Sequence, residues 1–246
     1  MKKLLMVLVG AISTSAVATP AINIGAMHSF IEADRSTLLK QIRNNGSSTA
    51  FVQITAMEIK YTEDGTAKEV EIDREALLRG EGTGLIVSPA RMIVPVSGGH
   101  VNRMLTIGER DVERYYRVRF IPVVPDSAMS FGLTDDEADT YRQELNAGVN
   151  VMAGYGSIVV VRPSDVHFNT DIVEDTHSVT VSNNGNTTVV LDAFAKCEAK
   201  QQNCGPHVVH FLRPGKSMTQ NFESGRSFQF TLVEGASKTK LAFGQL

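Results

Sequence analysis

Residues 148–163, Gly148-Val149-Asn150-Val151-Met152-Ala153-Gly154-Tyr155-Gly156-Ser157-Ile158-Val159-Val160-Val161-Arg162-Pro163, carry two hydropathy patterns end to end. The first half alternates as a β-strand displays its side chains. Val149, Val151, Ala153 and Tyr155 fall on one face, with Asn150, Met152, Gly154 and Gly156 on the other. From Ile158 to Val161 both faces are apolar, the mark of a strand buried on both sides. The stretch therefore reads as a core strand that runs out into a half-covered edge. Exposed edges are ordinarily blunted by Lys, Pro or an inward charge, and residues 149–155 contain none of these. Two occupants for that edge are open: another segment of the same chain, or a partner that adds its own strand beside the row.

The beginning of the chain bears on compartment. Lys2 and Lys3 precede the apolar run 4–12, and small residues follow, ending Ala16-Val17-Ala18. This is the pattern of a secretory signal cut after Ala18. The apolar run is too short to span a bilayer, and no later segment is apolar for long enough, so no membrane insertion is expected. Cleavage leaves 228 residues, enough for two domains, with 22 basic against 27 acidic residues, a net charge of −5. An acidic chain without a basic run argues against nucleic acid as the main partner.

Cysteine usage fits export. Cys197 and Cys204 are the only two, close together and late in the chain. In an oxidising compartment a disulfide closing a short loop is the default. The competing reading adds His207 and His210 to form a four-ligand metal cluster. Residues 206–212 read as a strand, which would turn the two histidines to opposite sides.

Along the chain, β-forming segments recur about every ten residues between turn signals, which indicates a β-sandwich. Residues 49–61 (TAFVQITAMEIKY) and 68–73 (KEVEID) alternate on either side of Glu63-Asp64-Gly65. Residues 85–96 (LIVSPARMIVPV) are broken by Pro89 and Pro95, which suits short edge strands. In 113–124 (ERYYRVRFIPVV), Tyr115, Arg117 and Arg119 share one face, and Tyr116, Val118 and Phe120 the other. Asn44-Asn45-Gly46 is expected to turn with positive φ. The acidic connection 125–147 is long for a compact domain, and a helix over 135–145 capped by Thr134 is expected within it.

After Arg162-Pro163 a second set of strands is expected at 165–169, 178–182, 187–194, 207–212 and 227–233, with turns at 183–186 and 213–216. The organisation is thus a cleaved signal at 1–18, one sandwich at 19–163 and a second at 164–246. Catalytic signatures are missing. Gly80-Glu81-Gly82-Thr83-Gly84 lacks the strand, helix and Lys-Ser/Thr of a phosphate loop, and no G-x-S-x-G elbow occurs. Neither an enzyme nor a cofactor is implied.

Three blocks now carry a resemblance: Glu113-Arg114-Tyr115-Tyr116-Arg117-Val118-Arg119-Phe120, then Ile158-Val159-Val160-Val161-Arg162-Pro163, then Val181-Ser182-Asn183-Asn184-Gly185-Asn186-Thr187 with Phe211-Leu212-Arg213-Pro214-Gly215-Lys216-Ser217. In order and spacing they resemble the periplasmic pilus-assembly chaperones of the chaperone–usher pathway. The likeness is closest to the alternate branch, which includes common-pilus and colonisation-factor chaperones. The resemblance implies an all-β boomerang of two immunoglobulin-like domains in the periplasm. It implies donor-strand complementation: strand 148–161 is lent to a pilus subunit, which is then delivered to an outer-membrane usher. The subunit-facing side chains would be Val149, Val151 and Ala153, extended by Tyr155, the same row that periodicity leaves exposed.

The family anchors the subunit's C-terminal carboxylate with an Arg on the first strand and a Lys on the last strand of domain one. Those positions fall here near His28 and Ile158, so the pair does not carry over. A carboxylate still needs donors, best as a guanidinium fork. Arg117 and Arg119 are the candidate replacements, with His28 third; the alternative is that both arginines serve structural ion pairs. Arg162 is expected at the domain junction. Two other classes stay in play: a secreted structural pilus subunit or adhesin, and a metal-dependent hydrolase resting on Cys197, Cys204, His207 and His210.

Overall fold

In the computed structural model the described residues are 19–62, 64–125, 127–146, 151–198 and 203–244. The expected signal, 1–18, and Val149 lie outside them. Ten strands make up the first unit: β1 (Ile22–Asn23), β2 (His28–Ile31), β3 (Thr37–Asn44), β4 (Ala50–Tyr61), β5 (Ala67–Glu71), β6 (Gly84–Ser88), β7 (Arg91–Val94), β8 (Gly99–Ile107), β9 (Arg114–Pro122) and β10 (Tyr155–Val161). They form one sheet in the order β1-β3-β8-β6 and a second in the order β2-β10-β9-β4-β5, with β7 also on β4. Every pairing is antiparallel except that of β10 with β2.

The two sheets close on one core because their strands alternate as the sequence does. Tyr116, Val118 and Phe120 of β9 are fully buried against Val52 and Ile54 of β4, Met104 of β8 and Val159 and Val161 of β10. Each such aliphatic side chain contributes about 1.5–3 kcal/mol by leaving water. Tyr115, Arg117 and Arg119 are turned to the opposite face of the sheet, as the period of two requires.

Among the described residues no strand beyond Val161 joins these sheets. The next, β11 (Thr170–Glu174), begins a three-stranded sheet, β11-β12-β15, with β12 (Ser178–Asn183) and β15 (Ser217–Asn221). Facing it is the sheet β14-β13-β16-β17, built from β13 (Val189–Glu198), β14 (Val208–Leu212), β16 (Arg226–Glu234) and β17 (Ser237–Gly244). The second core is aromatic, with Phe194, Phe228, Phe230 and Phe243 stacked at 5.7–6.0 Å around Leu191 and Val181. The chain is therefore a pair of immunoglobulin-like sandwiches.

Several expectations are corrected. The strand expected over 148–161 is hydrogen-bonded as a ladder only from Tyr155, and residues 151–154 lie outside any strand. Tyr155 pairs with Phe120, so continuing the ladder would bring Ala153 opposite Pro122, which has no N–H to give. Residues 165–169 are not a strand; the sheet begins at Thr170. Gly46 does not adopt positive φ. It is required because a Cβ there would sit 2.3 Å from the Thr19 carbonyl, where the described chain starts. The acidic connection does hold a helix, α2 (Asp135–Asn146), after a short α1 (Arg74–Leu78) earlier in the chain. Thr134 caps α2 reciprocally: its hydroxyl accepts from the Glu137 N–H while the Glu137 carboxylate accepts from the Thr134 N–H. Tyr141 and Leu145 then seat α2 on Phe51, with Tyr141 donating to the Thr49 carbonyl at 2.9 Å.

Candidate functional site

The open edge lies on β10. From Ile158 to Val161 this strand is held on both sides, by β2 and by β9. From Tyr155 to Ser157 only β9 pairs with it, because β2 begins at His28, opposite Ile158. The N–H groups of Ile158 and Arg162 point to the β2 side, bonding Met27 and Ile31 carbonyls. By alternation the N–H of Gly156 points the same way, to the side where β2 has not yet started. The side chains change environment at the same place. Val159 and Val161 are core, Ser157 is buried, and Tyr155 on the same face is exposed. Ala153 is exposed ahead of it, and Val151 is 79% exposed. One row of side chains thus runs from the core out past its rim.

Beside this edge lies the cleft. Pairing sets His28, Ile158 and Arg117 side by side across three strands. Arg117 and Arg119 do point the same way, and both meet one carboxylate, that of Glu69 on β5. A hollow of about 450 Å³ opens among Glu69, Arg117, Arg119 and Tyr155, floored by Gly154 and Gly156. His28 is stacked on Phe211 of β14, with ring centroids 3.8 Å apart. Its burial, and secondarily the Arg117 charge, push the imidazole pKa below its ordinary value and favour the neutral ring.

Arg162 follows β10 directly. Only 3% of its side chain is exposed, and it is ion-paired through Nε with Glu32 at 2.9 Å. It donates to the Thr187 hydroxyl and the Thr188 carbonyl, and its guanidinium lies between the rings of Phe30 and Phe168. Glu113 grips the same corner from β9's side, accepting from the Thr188 N–H and from both threonine hydroxyls. Tyr115 also donates to Glu113, and burial followed by that carboxylate's charge raises the phenol's pKa strongly. Arg110 reinforces the turn by donating to the carbonyls of Ile31, Glu32, Arg35 and Arg162. Arg162 is thus a buried junction residue, tied through Nε to Glu32 and through Nη1 to Thr187 and Thr188.

Cys197 and Cys204 form a disulfide at the end of β13. Their sulfurs are therefore not thiolates able to ligate a metal with His207 and His210. Among the described residues no group of three His, Cys, Asp or Glu side chains is placed to hold an ion, and no helix is long and apolar enough to cross a membrane. Sequence reasoning missed Glu69, Glu113, Arg110 and Phe211. Glu69 could have been found as the acidic residue on the face of 68–73 that a hairpin returns toward Arg117. The others depend on contacts between distant segments.

No family model matches the chain. In sequence it is 28% identical over 202 residues to a probable fimbrial chaperone, EcpB, of Escherichia coli O157:H7, covering 80% of this chain and 79% of that one. In structure it is similar to the class 5 fimbriae chaperone CfaA, with a TM-score of 0.53 and 21% identity over 92% of this chain and 99% of that one. A chaperone–tip adhesin complex of CFA/I fimbriae biogenesis gives 0.51 and 20% identity over 92% and 98%. With two immunoglobulin-like sandwiches, an edge strand paired on one side only and two arginines beside it, the chain is similar to the fimbrial chaperones in sequence over four-fifths of its length and in fold over nine-tenths.

Proposed function

We propose that the protein is a periplasmic chaperone that binds pilus subunits by lending them an edge strand and passes them to an outer-membrane usher. The observation that carries this reading is the break in pairing along β10. Where β2 stops at His28, the strand keeps its β9 partner but offers its other edge, and the apolar row leaves the core. An incoming strand would take hydrogen bonds on that edge and bury Val149, Val151, Ala153 and Tyr155 in its own incomplete core. Two or three such burials at about 1.5–3 kcal/mol each, with a backbone ladder, make a firm clamp.

The cleft supplies the end stop. Arg117 and Arg119, with His28 alongside, are the groups we assign to the subunit's C-terminal carboxylate; Arg162 fixes the angle between sandwiches that we place at 19–163 and 164–246. Residues 1–18 direct export and are removed. The reading assigns no catalysis and no cofactor.

Co-expression with the cognate pilus subunit tests it. Val149→Glu and Val151→Glu should each abolish co-purification and leave the subunit to periplasmic proteolysis, while the chaperone itself stays folded. Undiminished capture by both variants overturns the reading.

A further inference from the structure

Glu69 stands in an unusual place for a surface acid. Its carboxylate serves two guanidinium groups at once, with Oε1 at 2.8 Å from Arg117 Nε and both oxygens, at 2.9 and 2.7 Å, on Arg119 Nη2. It reaches Arg117 from the Nε side. The Arg117 side chain lies over Gly156, where a Cβ would come to 3.6 Å from both Cδ and Nη1, and the hollow lined by Glu69, Arg117, Arg119 and Tyr155 opens beside it. Two positive groups and one negative leave this cluster one net positive charge, the complement of a single carboxylate.

We propose that Glu69 is a positioning residue for carboxylate recognition in this cleft: it pins Arg117 and Arg119 side by side and leaves the terminal nitrogens of Arg117 for the last carboxylate of a bound chain. This rests on the function proposed above and adds a residue to it. The physical case is a contest between two effects. Removing Glu69 raises the local charge and should draw an anion in. It also lets two like-charged side chains repel and swing apart, which destroys the fork that makes a guanidinium–carboxylate contact strong. Both arginines are about one-third exposed, at 35% and 37%, so solvent screens the extra point charge. Loss of preorganisation wins.

The test uses the full mature chain and two short synthetic peptides of alternating Val and Thr, one ending in a free carboxylate and one in an amide. Binding is read by fluorescence anisotropy. The unaltered chain should prefer the carboxylate peptide by about tenfold, and Glu69→Ala should cut that preference to below about threefold. Affinity for the amide peptide should be unchanged, which also shows the variant folded. A preference that stays the same or grows in Glu69→Ala makes Glu69 a bystander or a competitor and overturns the inference alone. Binding of neither peptide by the unaltered chain overturns the edge reading and this inference with it.

Discussion

Arg162 donates to the hydroxyl of Thr187 at 2.6 Å, so the residue that follows β10 is bonded directly to the segment that enters β13 of the second sandwich. The same hydroxyl donates a hydrogen bond to the Glu113 carboxylate at 2.5 Å. A hydroxyl that accepts on one side and donates on the other couples its two neighbours.

That coupling is measurable. Arg162→Ala loses an ion pair and two hydrogen bonds and should cost about 2 kcal/mol, since Glu32 is left able to reach water. Glu113→Gln should cost about 1–3 kcal/mol, because an amide cannot accept from so many donors through two oxygens. In a double-mutant cycle read by urea unfolding, the pair should show about 0.5–3 kcal/mol of interaction energy. Strict additivity would mean that Thr187 carries no signal between them. Arg162→Ala should also broaden the unfolding transition, because it removes a buried link between the two sandwiches while the His28–Phe211 stack remains.

The long acidic connection is held before any client arrives. Tyr141 is buried beside Phe51, with ring centroids 4.6 Å apart, and its hydroxyl is bonded to Thr49. Tyr141→Ala should remove about 3 kcal/mol of local stability. Trypsin should then cleave after Arg142 while both sandwiches stay intact by circular dichroism. Equal resistance in the variant would mean that Leu145 and the Thr134 cap suffice.

Much of this was legible in the sequence, and the parts that were not share a cause. Alternation in 113–124 assigned each side chain of β9 to its face, because a period of two is a property of the strand alone. The Thr134 cap of α2 was legible for the same local reason. The exposure of Val151, Ala153 and Tyr155 was legible as composition, but where the ladder stops was not. The stop at Tyr155 falls where the register reaches Pro122, on a strand some thirty residues away, and the loss of the second neighbour falls at Ile158, where β2 starts. Glu69 was legible only as an acidic residue on one face of 68–73; its meaning for the site depends on β5 lying across β4 from β9. In the same way the second sandwich's β15 and β17 carry mixed polar sequences, SMTQN and SKTKLAFG, that only their neighbours make into strands.

The disulfide should matter to stability and not to capture. It ties the end of β13 to the segment where Gly205 donates to the Lys196 carbonyl, far from β10. Closing so short a loop is worth about 2 kcal/mol. Replacing both Cys197 and Cys204 with Ser should lower the melting temperature of the second sandwich, and a reductant should do the same to the unaltered chain but not to the variant. Subunit capture at low temperature should be unaffected; its loss would show that the second sandwich's order reaches the cleft.

His28 gives the cleft a pH dependence whose sign can be worked out. Its folded-state pKa lies below the ordinary 6.5, chiefly because burial under Phe211 disfavours the charged ring, and then because Arg117 is near. The unfolded chain therefore binds this proton first as pH falls. The stabilisation is fully present above 6.5 and declines as pH drops through that value toward the folded pKa. Carboxylates held low by hydrogen bonds, such as Asp175 and Glu137, release their stabilisation only in a more acidic window, so the two effects separate. Melting temperature should thus fall between about pH 7.5 and pH 5.5 in the unaltered chain. His28→Phe keeps a ring against Phe211 but cannot take a proton, so its curve should be flatter over that range. Parallel curves would show that the imidazole escapes from the stack when it is protonated.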